Sequence, residues 1–230
     1  MVNGKSIGLV CLDTIHYPKT LDAIKKTLKN IDIDKIYWIS DKYLPELDSI
    51  KTPEGFGVPV QHIFIPTIKN YILEYNNIYI NLLPYILGEE NFFLNIHSDG
   101  FAVNKNSWDN RFLDYDYIGA PWPFCLPGQR VGNGGFSLRS KKLYDSLKYI
   151  DTSLKLQYIH GSFGEDVIIC RNLDSILKTD FGIKFCSEEL SAKFSMELSG
   201  TMFDYWIGKS FGFHGGFVCE HYGYNYSELK

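Results

Sequence analysis

The sequence predicts an α/β fold, a single domain over residues 1–230 with a mixed, mostly parallel central sheet flanked by helices. Three observations predict it. Short apolar runs recur at Ile7–Leu12, Ile36–Ile39 and Phe92–Ile96, the pattern of strands buried on both faces. Segments with helical spacing separate them. Each run ends in polar residues, Asp13-Thr14-Ile15-His16, Ser40-Asp41 and His97-Ser98-Asp99, and ligands in open α/β sheets bind at such carboxyl ends.

Taken in order, Ile7–Leu12 is the first strand, and Thr20 is placed to cap a helix carrying Leu21, Ile24 and Leu28 on one face. Ile36–Ile39 follows as a second strand. Pro45, Pro53, Gly55, Gly57 and Pro59 predict a loop over 45–59 before a third strand at His62–Ile65. Ile68, Ile72, Ile78, Leu82 and Ile86 predict a helix that Pro84 bends or ends. After the Phe92–Ile96 strand, Tyr117–Ala120 reads as a short strand, and a proline-rich bend leads into VGNGGFSLR (131–139), glycine-rich backbone running into another strand. A helix is expected over Ser140–Ile150, a loop over 158–164, and a helix opening at Glu165-Asp166 that buries Ile169, Leu173, Ile176 and Leu177. Ile183–Cys186 and Phe211–Phe213 are late strands.

The bulk composition narrows the function. A chain of 230 residues with 45% hydrophobic and 22% charged residues is long enough for one full core. Its net charge of −4 lacks the basic excess of a nucleic-acid binder, so no nucleic-acid partner is expected. The cysteines Cys11, Cys125, Cys170, Cys186 and Cys219 include no C-x-x-C pair, which points to buried thiols in a reducing compartment rather than zinc or disulfides. The first apolar run stops at Asp13, too short for a signal peptide or a membrane-spanning segment, and a cytoplasmic location is expected.

Several groups carry chemistry. Asp99, with His97 and Ser98 at a central strand end, can hold a divalent metal against a diphosphate, although Asp-Gly is also ordinary turn chemistry. Glu165-Asp166 suits either a helix amino terminus or general-base work on a sugar hydroxyl, with Asp166 the first choice and Glu165 the second. His214, between Phe213 and Gly215, can reach a ligand without crowding or serve structurally. Trp122, with Tyr115 and Tyr117, can stack on a pyranose face or pack in the core. Asn133 presents a donor and an acceptor to sugar hydroxyls or serves as a turn residue, with Gly134 and Gly135 beside it as floor.

In this order and spacing, DYDYIGAPW (114–122), VGNGGFSLRSKKL (131–143), EDV (165–167) and FGFHG (211–215) resemble a group of glycosyltransferase-like proteins formerly described only as a domain of unknown function. The resemblance spans about residues 90 to 220. More distantly, a glycine-rich strand followed by Glu-Asp-Val is similar to the galactosyl and fringe-type inverting transferases. It implies a GT-A (Rossmann-like) domain, a divalent cation (Mn2+ or Mg2+), and inverting transfer of a hexosyl or deoxyhexosyl unit from a nucleotide sugar to a glycan or glycoconjugate hydroxyl. By that resemblance Asp99 matches the last acid of the D-x-D metal motif, Asp166 the base and His214 the late metal ligand. His97 stands where the first acid of D-x-D belongs.

The expected arrangement places Asp13, Thr14, His16, Ser40, Asp41 and Ser98 around the nucleotide, with uridine the expected base. Asp99, His214 and His97 take the metal, and Trp122, Asn133, Gly134 and Gly135 shape the sugar and acceptor pocket. A sugar-nucleotide pyrophosphorylase needs a glycine-rich basic loop after the first strand, where this chain reads CLDTIHYP. A non-catalytic carbohydrate-binding domain and a retaining transferase are the competing readings.

Overall fold

Apolar runs that cannot face water set the architecture of the protein, whose computed structural model describes residues 1–161 and 164–229. The strands are β1 (Ile7–Leu12), β2 (Lys35–Ser40), β3 (Val60–Phe64), β4 (Phe92–Ile96), β5 (Gly100–Ala102), β6 (Tyr117–Ile118), β7 (Phe136–Ser140), β8 (Ser195–Met196) and β9 (Gly212–His214). Six form the main sheet in the order β3-β2-β1-β4-β7-β6, and three form a small sheet in the order β5-β9-β8. β3, β2, β1 and β4 run parallel, whereas β7 is antiparallel to β4 and to β6. The expected mixed, mostly parallel sheet is present. The chain moves outward from β1 to β3 and then crosses to β4 on the other side of β1, so β1 and β4 flank a switch point where a crevice opens.

Helices cover the sheet: α1 (Tyr17–Leu28), α2 (Pro45–Asp48), α3 (Tyr71–Asn77), α4 (Leu83–Ile86), α5 (Lys141–Tyr149), α6 (Thr152–Gly161), α7 (Glu165–Val167), α8 (Asp174–Phe181) and α9 (Glu188–Phe194). Their apolar faces and the buried strands share one core that includes Trp38, Phe93, Phe136, Leu147 and Leu177.

Local chemistry moves several boundaries. α1 begins at Tyr17, not after Thr20, because Pro18 fits the first helical turn. Thr20 lies inside the helix, and its hydroxyl donates to Asp13 Oδ2 at 2.5 Å. A helical turn, α2, interrupts the loop expected over 45–59. α3 starts only after Asn70, whose side chain accepts the Leu73 N–H. A wide π-helical turn, Ile78–Leu82, then separates α3 from α4 and absorbs Pro84, which cannot donate within a regular ladder. A second such turn, Ile168–Asn172, separates α7 from α8, and Gly182 ends α8 in the left-handed conformation.

Within the loop expected over 158–164, residues 158–161 belong to α6, whose apolar side chains do not follow one face; residues 162 and 163 lie outside the described residues. Residues 183–186 form no regular strand and contribute one parallel bridge, Tyr117 to Phe185. No helix among the described residues is long and apolar enough to cross a membrane.

Ser140 joins the sheet to its covering helix. Its Oγ accepts the Leu143 N–H at 3.0 Å, capping α5, and donates to Asp116 Oδ1 at 2.6 Å. Ser140→Ala removes both bonds from a buried position and is expected to cost about 1–2 kcal/mol. Thermal unfolding checks this: the midpoint should fall by roughly 2–4 °C per kcal/mol.

Candidate active site

Strand register assembles the site from three distant parts of the chain. Because β7 is antiparallel to β4 and pairs Phe136 with Ile96, the residues entering β7, Gly134 and Gly135, lie beside those leaving β4, His97 to Asp99. β5 then pairs Gly100 with His214 of β9, which brings His214 next to Asp99. A cavity of about 520 Å3 opens here, between the carboxyl ends of β1 and β4. That volume is within the range of small-molecule sites, roughly 300–1,000 Å3.

One wall carries His97, Asp99 and His214, with one donor atom from each lying within 4.8 Å of the others. His214 Nε2 is 3.5 Å from Asp99 Oδ1, and the two imidazoles meet edge to face with centroids 5.4 Å apart. On its other side His214 Nδ1 lies 3.2 Å from Glu197 Oε1 and 3.0 Å from Asn133 Nδ2. Burial opposes a charged His214, but hydrogen bonds and attraction from Asp99 and Glu197 outweigh it and raise its affinity for a proton well above the ordinary value. Burial and the neighbouring His214 charge lower His97 to about 4, so it is neutral near pH 7. Tyr75 holds the His97 ring through a hydroxyl bond to Nε2. Burial works against ionised Asp99, yet the His214 hydrogen bond and the two imidazoles keep its carboxyl well below the usual range.

Gly134, Gly135, Glu165 and Asp166 complete the lining beside this cluster. Both glycines are required by contact: a Cβ on Gly135 would lie 2.1 Å from His214 Nε2, and one on Gly134 would lie 1.9 Å from Glu165 Oε1. The Gly134 N–H donates to Asp166 Oδ2 at 2.9 Å and the Val167 N–H to Oδ1 at 2.8 Å. Burial and then the Glu165 charge raise Asp166 to about 7, the range a general base needs at neutral pH.

Glu165 has a different environment. It is 4% exposed, and its Oε1 accepts a 2.6 Å bond from Nη2 of Arg139, which has no exposed surface. The guanidinium lies over the Tyr79 and Tyr117 rings, at 4.9 and 5.2 Å, and its Nε donates to Ser137 Oγ. Glu165 therefore neutralises a buried cation, and its nearby charge adds to burial in raising Asp166.

At the β1 end, Asp13, Thr14 and His16 line the cavity, as does Ser98 at the β4 end. Asp13 is nearly saturated internally, accepting the Ile15 and His16 N–H groups at 2.7 Å each along with the Thr20 hydroxyl. Ser40 and Asp41 lie off the cavity wall; Asp41 accepts from the hydroxyls of Tyr17 and Thr67. Trp122 and Asn133 also lie off it. Trp122 is buried against Gly132, where a Cβ would meet its ring at 2.4 Å, while the Arg171 guanidinium covers the ring at 4.8 Å. Tyr117 is buried too. Asn133, 1% exposed with φ +66°, uses its amide on His214 and on the Phe136 N–H.

Sequence reasoning missed Glu197, Tyr75 and Asn76, the last a buried amide on the cavity lining. Glu197 follows a two-residue strand with no motif around it, and Tyr75 and Asn76 sit in a helix read for its apolar spacing alone.

Residues 66–214, more than half of the chain, match the family described as "Protein of unknown function (DUF5672)". No curated protein sequence matches the chain. Among solved structures, a glycosyltransferase involved in the glycosylation of the major capsid of PBCV-1 is similar in fold, with TM-score 0.54 at 13% identity, over 94% of this chain and 96% of that one. The apo-form glycosyltransferase GlyE of Streptococcus pneumoniae TIGR4 reaches TM-score 0.49 at 16% identity over 81% of this chain. The chain spans 46% of the GlyE chain's length.

Removing one partner of a buried ion pair strands the other. Arg139→Met or Glu165→Gln alone is expected to destabilise the protein by roughly 3–5 kcal/mol, and the double variant by less than the sum. Urea unfolding of the four proteins measures the coupling.

Proposed function

The chain belongs to the DUF5672 family, and from that premise we propose that it is a glycosyltransferase that uses a nucleotide-diphosphate sugar, a UDP-sugar by preference. The observation that carries the reading is that one cavity holds both a carboxyl poised to take a proton near pH 7 and a compact His-Asp-His cluster, at the sheet's switch point. The fold shared with the PBCV-1 enzyme supports it.

The cluster's donors fit a divalent cation, and two imidazoles with one carboxylate suit Mn2+ better than Mg2+, which prefers an all-oxygen shell. His97, Asp99 and His214 would hold it. When bound, the cation supplies positive charge against a leaving diphosphate. Glu197 and Asn133 orient the His214 ring from behind, and Tyr75 does the same for His97. At the β1 end, the exposed His16 and the Thr14 hydroxyl face the space for the nucleoside. Asp13 acts on that end indirectly, by folding the turn that presents them.

Asp166 takes the proton of the acceptor hydroxyl as its oxygen bonds to the anomeric carbon and the diphosphate departs with the bonding pair. A single displacement of this kind inverts the anomeric centre. The two backbone N–H groups on Asp166 fix its carboxylate toward the cavity and leave lone pairs for the incoming proton. The sites of Trp122 and Tyr117, buried rather than lining the cavity, weigh against a carbohydrate-binding module built on an exposed stacking platform.

A UDP-hexose panel with Mn2+, scored for UDP release and product anomer, tests the reading; absence of UDP release from every member refutes it. Activity is expected to rise with pH through about 7 as Asp166 ionises. Asp166→Asn should lower turnover by roughly 10²–10⁴-fold. The stability sign is opposite. A carboxyl whose folded affinity for a proton is raised contributes stability below its unfolded value, near 3.9, and loses it as pH rises through about 7. Above pH 7, Asp166→Asn should therefore unfold at a higher temperature than the parent.

A further inference from the structure

The site cavity is acidic where a transferred sugar would lie. Its lining holds the carboxyls of Asp13, Asp99, Glu165 and Asp166 and the imidazoles of His16, His97 and His214, and no lysine or arginine is among its described residues. The lysines that neighbour the lining in sequence all belong to the β1 end. Lys19 Nζ reaches the Ser227 carbonyl at 3.4 Å, Lys42 Nζ lies 4.7 Å from the Tyr17 ring centroid, and Lys69 follows Ile68, whose N–H donates to Thr14 Oγ1. Arg139 lies behind the lining, where Glu165 already neutralises it.

The imidazoles at the Asp99 end add little free positive charge. His97 is neutral near pH 7, and the proton on His214 is shared by the carboxylates of Asp99 and Glu197. Asp166 adds a further negative charge whenever it is ready to act as a base. The charge of a bound divalent cation is matched by the diphosphate it meets, which leaves none for the sugar. A transferred sugar must reach both groups, since its bond to the diphosphate breaks at the His-Asp-His cluster and its anomeric carbon meets the hydroxyl that Asp166 deprotonates. A carboxylate at C6 is carried on the same small ring, inside a screening length of roughly 8 Å from these charges. It would lie unpaired beside like charges, whereas a C6 hydroxyl in the same place needs only a hydrogen bond.

We propose that the cavity selects its donor by charge: it admits a neutral pyranosyl unit and rejects a uronosyl one, through the carboxylates of Asp99 and Asp166 and a lining that offers no lysine or arginine to pair a sugar carboxylate. The inference rests on the nucleotide-sugar reading and adds to it a selection that acts on charge, independent of shape. Asp166 thereby has a second effect, on which donor binds, besides its part in the displacement.

Isothermal titration of the full chain with matched donors and Mn2+, at about pH 8 where Asp166 is ionised, tests the proposal. UDP-glucose is compared with UDP-glucuronate and UDP-galactose with UDP-galacturonate, pairs that differ only in a hydroxymethyl or a carboxylate at C6. UDP-xylose, which lacks C6, controls for shape. Each uronate should bind roughly tenfold to a hundredfold more weakly than its hexose, and UDP-xylose should stay within about threefold of UDP-glucose. Asp166→Asn, read by binding and not by turnover, should narrow the gap by about threefold or more, because it removes one opposing charge. A uronate that binds as tightly as its hexose overturns the proposal and leaves the transferase reading standing. UDP-xylose as weak as the uronates, or a gap unchanged in Asp166→Asn, has the same consequence. If UDP itself does not bind, the transferase reading fails and the proposal falls with it.

Discussion

The buried pair between Arg139 and Glu165 is the interaction on which the candidate site depends. A guanidinium with no exposed surface, set between tyrosine rings near the end of β7, must be neutralised, and Glu165 does so at 2.6 Å. That anchors the start of α7 against the sheet and pushes the Glu165 carboxylate into the space a side chain at position 134 would need. Asp166, the next residue, is then turned to the cavity and bound by the Gly134 N–H. A structural ion pair thus fixes the position of the carboxyl proposed as the base.

The same economy governs the other wall. An antiparallel strand in an otherwise parallel run reverses the direction of approach, so the glycine-rich entry to β7 meets the exit of β4. The small sheet adds His214 by pairing β9 with β5. Each wall is carried by a strand pairing of long sequence separation, which holds a side chain more firmly than a loop would. Asn133 and Glu197 have no free chemistry of their own in this arrangement; they set the ring on which Asp99 depends.

Much of the frame was legible because burial on both faces leaves a direct trace in sequence. β1, β2 and β4 are near-continuous apolar runs, and the polar residues just past β1 and β4 mark the crevice. Asp99, Asp166 and His214 were readable as polar groups at element ends and through resemblance to a known motif order. Glu165 was legible as a carboxylate but not as a partner, since nothing local indicates that Arg139, 26 residues earlier, points into the core. Trp122 and Asn133 have chemistry that suits a ligand as well as packing or a turn, and packing against Gly132 and bonding to His214 claim them. Glu197, β5, β8 and α6 left no periodic or motif signal, because their placement is decided by contacts distant in the chain.

Direct titration of Asp166 bears most closely on the proposed chemistry. Carboxyl 13C NMR of aspartate-labelled protein, with the Asp166 signal assigned by its loss in Asp166→Asn, reads its protonation without substrate or metal. A midpoint near pH 7 is expected, falling when Glu165→Gln removes the adjacent negative charge. A midpoint in the ordinary carboxylate range, unchanged by Glu165→Gln, would contradict the assignment of Asp166 as a base conditioned by the buried pair.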